Sequence, residues 1–178
     1  PQDRPRGCPP RPVADSAYDP YGRVEGLLCL LGARVDALQA LPLLAVSWRR
    51  LGVGETLLHE GAVAEAVHFA RAGTFKLFRT AEDGYEQVLG FALRGEVLGF
   101  EALAQGTQPF SVVALEECSV YSIPLSEFDT LGQRLPELDK LVHRAVSNAL
   151  LRRGEAAEVM AAVAAEVRLA RFLIQLSR

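Results

Sequence analysis

The sequence predicts an α+β fold in which an antiparallel β-roll, a double-stranded jelly roll, is followed by a long helix. Residues 69–124 hold short runs rich in β-branched and aromatic residues, with a glycine every few positions, which is typical of half-buried strands joined by tight corners. Asp83-Gly84 lies between two such runs and is the strongest hairpin signal in the chain. From Leu138 onward apolar residues recur every three or four positions, which indicates one continuous helical face.

Composition limits the size and location of the protein. The 178 residues are 49% hydrophobic and 23% charged, enough for one well-cored domain and a smaller appendage. No apolar run reaches the ~18 residues of a membrane span, there is no basic-then-apolar leader, and the three cysteines are widely spaced. We therefore expect a cytoplasmic protein without a membrane segment. The net charge of −3 argues against broad attraction to a polyanion, so we expect any DNA-binding surface to lie elsewhere.

The first part of the chain is rich in proline. Residues 1–25 hold six of the ten prolines and show no periodicity, so we assign 1–34 as a mobile or loosely docked leader. Val35 to Leu44 then shows a short helical stripe that Pro42 should end. We place the β-roll with its short flanking helices at 35–132.

Two helical segments are expected after the roll. Ser126 is a capping residue for a short helix that we expect to end at Gly132, and Pro136 begins the long helix, assigned to 133–160. Arg152 and Arg153 interrupt its apolar face. That face comprises Leu138, Leu141, Val142, Ala145, Val146, Ala149 and Leu150, and resumes at Ala156, Val159 and Met160.

One spacing carries a family resemblance. The pattern G-x(3)-G-F-x(10)-S-x(11)-I-P, which begins at Gly95 and ends at Pro124, resembles the roll of the Crp/Fnr superfamily of transcription regulators. The similarity is greatest to the fumarate and nitrate reduction regulator branch. It implies a cyclic-nucleotide-binding-domain-like roll and a helix at 133–160 that forms a homodimer with its twin. It also implies that 161–178 is the first helix of a winged helix-turn-helix domain, whose remainder, with the DNA-contacting element, we expect beyond Arg178.

The resemblance also identifies a candidate effector pocket. In members that bind cyclic nucleotide, a Gly-Glu pair contacts the ribose and an Arg-Ser pair grips the cyclic phosphate. Here Gly99 and Ser111 are kept, Phe100 and Phe110 replace the two charged residues, and Glu101 follows. A buried phosphate without a guanidinium partner is uncompensated, so we do not expect cyclic AMP to bind in the usual mode. Either the two phenylalanines fill the core without a ligand, or they shape the pocket for an apolar or gaseous effector.

No cofactor is expected on the sequence. The resembled branch holds an iron–sulfur cluster with four thiolates, but no two cysteines here are close together, and Tyr121 stands where the distant ligand would fall, three residues after Cys118. The histidines lack metal-binding spacing, so we expect no metal site. Haem stays open, because one axial histidine suffices. The three histidines are His59, His68 and His143.

These features lead to one expected function and its alternatives. No nucleophile elbow, phosphate loop or paired carboxylate indicates an enzyme. We expect the sensory and dimerisation region of a DNA-binding regulator, in which Arg152 or Arg153 weakens the dimer so that a signal can tip its balance, unless both face solvent. The resemblance also implies an RNA polymerase contact at the hairpin, although a plain exposed turn explains the same residues. The alternatives are a stand-alone sensor of a protein partner and a haem-based gas sensor. The hairpin residues are Glu82, Asp83, Gly84 and Tyr85.

Overall fold

The computed structural model describes residues 20–33, 44–134, 136–161, 166, 169–170 and 173–174. Its helices are α1 (Pro20–Leu30), α2 (Leu125–Arg134) and α3 (Pro136–Ala161). Its strands are β1 (Ser47–Leu51), β2 (Thr56–Leu58), β3 (Ala66–Ala72), β4 (Phe75–Thr80), β5 (Glu86–Ala92), β6 (Val97–Leu98), β7 (Ser111–Ala114) and β8 (Cys118–Pro124). A single 3₁₀ turn, Phe100–Leu103, follows β6.

The strands form two four-stranded antiparallel sheets, in the orders β1-β8-β3-β6 and β2-β7-β4-β5. Buried side chains from both sheets meet between them in what we call the roll cluster, which includes Leu51, Phe75, Leu98, Val112 and Val120. β4, β7 and β8 each supply alternate residues to this cluster, as the period of two in a strand predicts. The predicted β-roll is confirmed.

Glycines make the tight corners of the roll. Gly84 has a φ of +83° in the β4–β5 hairpin, where the Asp83 carboxylate accepts a hydrogen bond from the Tyr85 amide at 3.0 Å. Gly73 has a φ of +86° between β3 and β4, and a Cβ there would lie 2.4 Å from the Cys118 Sγ. The hairpin expected at Asp83-Gly84 is therefore present, and Gly73 is fixed both by its backbone angle and by lack of space.

Part of the assigned leader is a packed helix. Leu27 and Leu28 of α1 are fully buried, and with Val24 and Leu31 they follow the i, i+3, i+4, i+7 spacing of one helical face. They join a second group of buried residues, which we call the helix cluster. Its members from the strands, the 3₁₀ turn and α3 are Val67, Phe69, Val97, Phe100, Tyr121, Ile123, Leu138, Val142 and Ala149. The leader assignment is thus wrong for 20–33, while residues 1–19 and most of the expected Val35–Leu44 helix lie outside the described residues.

The two helices after the roll differ from expectation in their bounds. α2 continues through Gly132 to Arg134, because one glycine inside a helix costs only about 1 kcal/mol relative to alanine and does not force an end. α3 begins at Pro136, where a missing backbone N–H is tolerated, as predicted. No helix among the described residues combines the length and apolar character that crossing a membrane requires.

Candidate functional site

The candidate effector-pocket residues lie at two adjoining ends of strands. Gly99 precedes the 3₁₀ turn with a φ of +80°, and a Cβ on it would lie 3.3 Å from Leu58 Cδ1. Phe100 and Phe110 are both buried, but Phe100 belongs to the helix cluster and Phe110 to the roll cluster. The hydroxyl of Ser111 accepts a hydrogen bond from the Glu60 amide at 3.0 Å, so it is engaged by the backbone of the roll.

The two phenylalanines meet at the side chain of Arg153 from α3. The guanidinium carbon lies 4.8 Å from the centroid of the Phe100 ring and 5.1 Å from that of Phe110. The same guanidinium forms an ion pair with Glu101. The side chain of Arg153 is 27% exposed and that of Glu101 17%. We call the guanidinium with Phe100, Glu101 and Phe110 the Arg153 site.

The electrostatics of the Arg153 site reflect its burial. Burial lowers the pKa of Arg153 to about 10, and the charge of Glu96 opposes this change. The guanidinium is still protonated at neutral pH. A desolvated guanidinium between two aromatic faces gains more from each ring than an exposed one does. The sequence left two alternatives for Phe100 and Phe110, a core filled without a ligand or a pocket for an apolar or gaseous effector; in the structure both rings lie against the guanidinium of Arg153.

The neighbouring arginine makes a parallel contact. Arg152 Nη1 lies 3.0 Å from Glu96 Oε1, and the Glu96 side chain is only 7% exposed. Burial raises the pKa of Glu96, while Arg152 and a hydrogen bond from the backbone of Leu93 act in the opposite direction. Two consecutive arginines of α3 therefore each reach an acidic side chain of the roll.

This arrangement contradicts one interpretation of the arginine pair, that both arginines face solvent. Arg153 is mostly buried while Arg152 is half exposed, and the hypothesis that one of them weakens a dimer stays a prediction. Sequence reasoning missed Glu96 as a partner because it precedes the arginines by more than fifty residues, and no periodic signal links an acid on a strand corner to a base on a distant helix.

The predicted dimerisation face of α3 is largely used within the chain. Leu138, Val142 and Ala149 are buried in the helix cluster within one chain, which leaves little of their surface for a twin, and their part in a dimer stays a prediction. The helix cluster also contains residues of α1, and Arg144 of α3 donates a hydrogen bond to the carbonyl of Leu31, just after α1, at 2.8 Å. Leu141, Ala145 and Val146 are partly buried against the same cluster.

The exposed apolar surface of α3 is narrower than predicted. Leu150 is 56% exposed and Leu151, which the sequence analysis did not name, is 69% exposed. They line a shallow surface depression on α3 together with Ser147, Gly154 and Glu155. The predicted dimer residues Ala156, Val159 and Met160 lie on α3, but their side chains are outside the described part of the chain.

The hairpin expected to contact RNA polymerase is an exposed turn. Glu82, Asp83, Gly84 and Tyr85 are all exposed, and Tyr85 is 68% exposed. The geometry gives this loop access to solvent, which both interpretations of the sequence require.

The candidate cofactor ligands are engaged in ordinary contacts. His68 Nδ1 lies 2.7 Å from the Ser122 hydroxyl, and burial lowers the pKa of His68 to about 4. The thiol of Cys118 on β8 donates to the Thr74 carbonyl at 3.4 Å, and burial raises the pKa of this thiol. Within the described ranges, no group of three or more His, Cys, Asp or Glu residues could hold a metal ion. That the chain holds no four-thiolate cluster stays a prediction.

Comparison with known proteins identifies the roll. Residues 48–134 match the family described as the cyclic nucleotide-binding domain. The chain is 32% identical over 151 residues to the transcriptional activator protein Anr of Pseudomonas protegens, covering 84% of this chain and 62% of Anr. It is 34% identical over 125 residues to the fumarate and nitrate reduction regulatory protein of Escherichia coli, covering 70% and 50% respectively. The chain thus spans between half and two thirds of the length of these relatives.

A solved structure shows the same fold. The c-di-GMP-responsive global regulator CLP of Xanthomonas campestris superposes with a TM-score of 0.65 at 19% identity, covering 88% of this chain and 72% of CLP. At that level of identity the similarity concerns the arrangement of strands and helices alone.

Proposed function

We propose, from the premise that this chain belongs to the Crp/Fnr family through its cyclic nucleotide-binding domain, that it is the sensory and dimerisation region of a DNA-binding transcription regulator. The observation that carries this proposal is the extent of the identity to Anr, which runs over 151 residues and so includes helical segments outside the 48–134 domain. A roll alone is shared by modules with many roles. A roll with a matching long helix supports a regulator specifically.

The proposed dimer forms through the exposed part of α3. Leu150 and Leu151 present two large apolar side chains to solvent on the side of α3 that the roll leaves open. In a two-fold dimer the same patch faces itself, so adjacent exposed leucines bury each other efficiently. The buried residues of α3 serve a different purpose, since they hold the helix on the roll and α1.

The proposed partners follow from the dimer. Operator DNA would be bound by a C-terminal winged helix-turn-helix domain of which 161–178 is the start, and two copies would read half-sites about one helical turn apart. The proposed binding of operator DNA assigns the protein to the cytoplasm. The exposed hairpin at Glu82–Tyr85 is available for RNA polymerase. The effector is not cyclic AMP in its usual mode, because Phe100 and Phe110 replace the charged residues that mode needs.

Sedimentation and DNA binding test the proposal. Leu150→Glu should weaken self-association, because a two-fold axis brings the two carboxylates together. Leu115→Glu is the matched control, since Leu115 is a similarly exposed leucine, at 44%, between β7 and β8. A chain that is monomeric with Leu150 intact, or that responds equally to both substitutions, contradicts the dimer. A protein carrying a full C-terminal domain that dimerises but binds no DNA would instead support a sensor of a protein partner.

A further inference from the structure

We propose that the Arg153 site binds a planar organic cation, a ligand that carries a guanidinium or amidinium group, and that the chain's own Arg153 occupies this site in the present structure. The inference rests on the proposed function, because it takes this site as the effector pocket of the roll. It assigns a ligand class opposite in charge to the cyclic phosphate of nucleotide-binding relatives.

The walls of the site have the chemistry of a cation pocket. Two phenyl rings lie 4.8 Å and 5.1 Å from one guanidinium carbon, and a carboxylate, Glu101, closes the site. Aromatic faces carry negative quadrupole charge and attract a flat, delocalised cation. Guanidinium is also more weakly hydrated than ammonium, so it is less costly to transfer into such a site. Arg153 shows that a group of this shape and charge can lie against both rings.

The site has a hydrogen-bond acceptor that the chain does not satisfy. Glu101 Oε2 is buried and has no donor within the described part of the chain. Buried acceptors without donors are costly. A free guanidinium has five N–H groups in a plane and can approach a carboxylate by both oxygens, which a side chain held on a helix does less freely.

The charge balance favours a cation over an anion. Glu96 and Glu101 on the roll face Arg152 and Arg153 on α3, so the four charges cancel. If a ligand cation replaces the Arg153 guanidinium, the buried charges stay balanced. If an anion entered, it would add a negative charge next to Glu101, with phenyl rings as its other neighbours, and buried charge without a partner is strongly unfavourable.

Ligand entry acts on α3, because Arg153 must leave the site first. The next residue, Gly154, is exposed and lowers the helix propensity of this turn, which reduces the cost of local rearrangement. Leu150 and Leu151 lie one turn earlier on the same helix. Displacement of Arg153 thereby links the site to the proposed dimer surface.

The test uses ethylguanidinium as probe, at concentrations well below those that denature. In the Arg153→Ala variant, which vacates the site, we expect saturable binding by calorimetry and a rise in the unfolding temperature. In the unsubstituted chain the same probe should bind about tenfold or more weaker, because it competes with Arg153. Ethylammonium is the control for a cation that carries the charge but is not planar. Arg152→Ala is the control for the loss of an arginine for which the structure shows no ring contact. In the Arg153→Ala background, the further substitution Glu101→Gln should abolish binding of the probe.

Other results would overturn the inference. Absence of saturable probe binding to a folded Arg153→Ala chain, equal binding by ethylammonium, or binding of cyclic AMP in place of the probe would each do so. If Arg153→Ala does not fold, hydrogen exchange of the unsubstituted chain decides the matter: the probe should speed exchange of the amides at 150–155, and unchanged exchange at saturating probe contradicts displacement. Self-association and DNA binding are measured separately, so they can succeed while the probe fails, and the proposed function then stands without this ligand.

Discussion

Arg152→Ala is the sharpest test of how α3 is held on the roll. The Arg152–Glu96 contact joins a half-exposed guanidinium, 51% exposed, to a carboxylate that is 7% exposed, with 3.0 Å between the nearest nitrogen and oxygen. The substitution removes the exposed partner and leaves the buried carboxylate without its main counter-charge. The free energy of unfolding should therefore fall by more than for an ordinary surface arginine.

The magnitude lies between two limits. Breaking a fully buried ion pair costs about 3–5 kcal/mol, and an exposed pair contributes about 0–1 kcal/mol. Because Glu96 is buried and Arg152 is half exposed, we expect a loss of about 2 kcal/mol, or about 4–8 °C in the midpoint of thermal unfolding for a chain of this size. Burial already raises the pKa of Glu96 and loss of Arg152 raises it further. A protonated Glu96 is neutral and needs no counter-charge. The loss of unfolding free energy caused by Arg152→Ala should therefore become smaller as the pH falls from neutral through the raised pKa of Glu96.

The assay is a double-mutant cycle at pH 7, with Glu96→Gln as the second substitution. Glu96→Gln removes the buried charge, so adding Arg152→Ala to it should cost less than about 0.5 kcal/mol. Urea unfolding of the four proteins gives the coupling. If Arg152→Ala alone is neutral, or if its cost is the same with Gln at position 96, the contact does not hold α3 on the roll and our reasoning fails.

Three other predictions test buried groups and glycines. His68 has a pKa of about 4 in the folded chain and an ordinary value of 6.5, so the unfolded chain takes up the proton first as the pH falls. The free energy of unfolding should therefore be at its full value above pH 6.5 and fall by about 3 kcal/mol towards pH 4. In urea unfolding, His68→Gln should flatten this dependence on pH. Gly73→Ala should lower the free energy of unfolding by about 2–4 kcal/mol, because the new methyl group clashes with a neighbouring thiol. Gly84 has open space around it, so Gly84→Ala should lower the free energy of unfolding by only about 1 kcal/mol. Equal losses would refute the steric argument. In the monomer, Leu138→Ala should lower the free energy of unfolding by about 3 kcal/mol, because Leu138 is buried. Leu151 is exposed, so Leu151→Ala should lower it by less than about 0.5 kcal/mol. The reverse order would mean that α3 is oriented differently.

Local signals explain what the sequence could predict. The hairpin at Asp83-Gly84 and the roll corner at Gly99 are set by backbone angles within a few residues, so they can be read from the chain. The long helix has a three-and-four spacing that no strand could share. α1 was missed because prolines on its N-terminal side masked a spacing of the same kind that begins at Val24.

Long-range pairing explains what the sequence could not predict. Phe100 and Phe110 were assigned to a pocket through the family pattern, which stays a prediction, and the structure brings both rings to the guanidinium of Arg153. The occupant, Arg153, was named but given the wrong surroundings, because the sequence does not show which side of α3 turns towards the roll. In the structure Arg152 and Arg153 reach acidic side chains of the roll, while Leu150 and Leu151 stay exposed.

The two phenylalanines under Arg153 belong to different hydrophobic clusters, and this has a consequence for how the molecule melts. One positive charge touches a ring of each cluster, so it adds a side-chain link between two clusters that already share the strands β3, β6 and β8. While the charge stays in place, both halves should absorb heat as one cooperative unit in a calorimeter. When it leaves, the helical half is free to loosen at a lower temperature than the sandwich, and the single endotherm should broaden or divide.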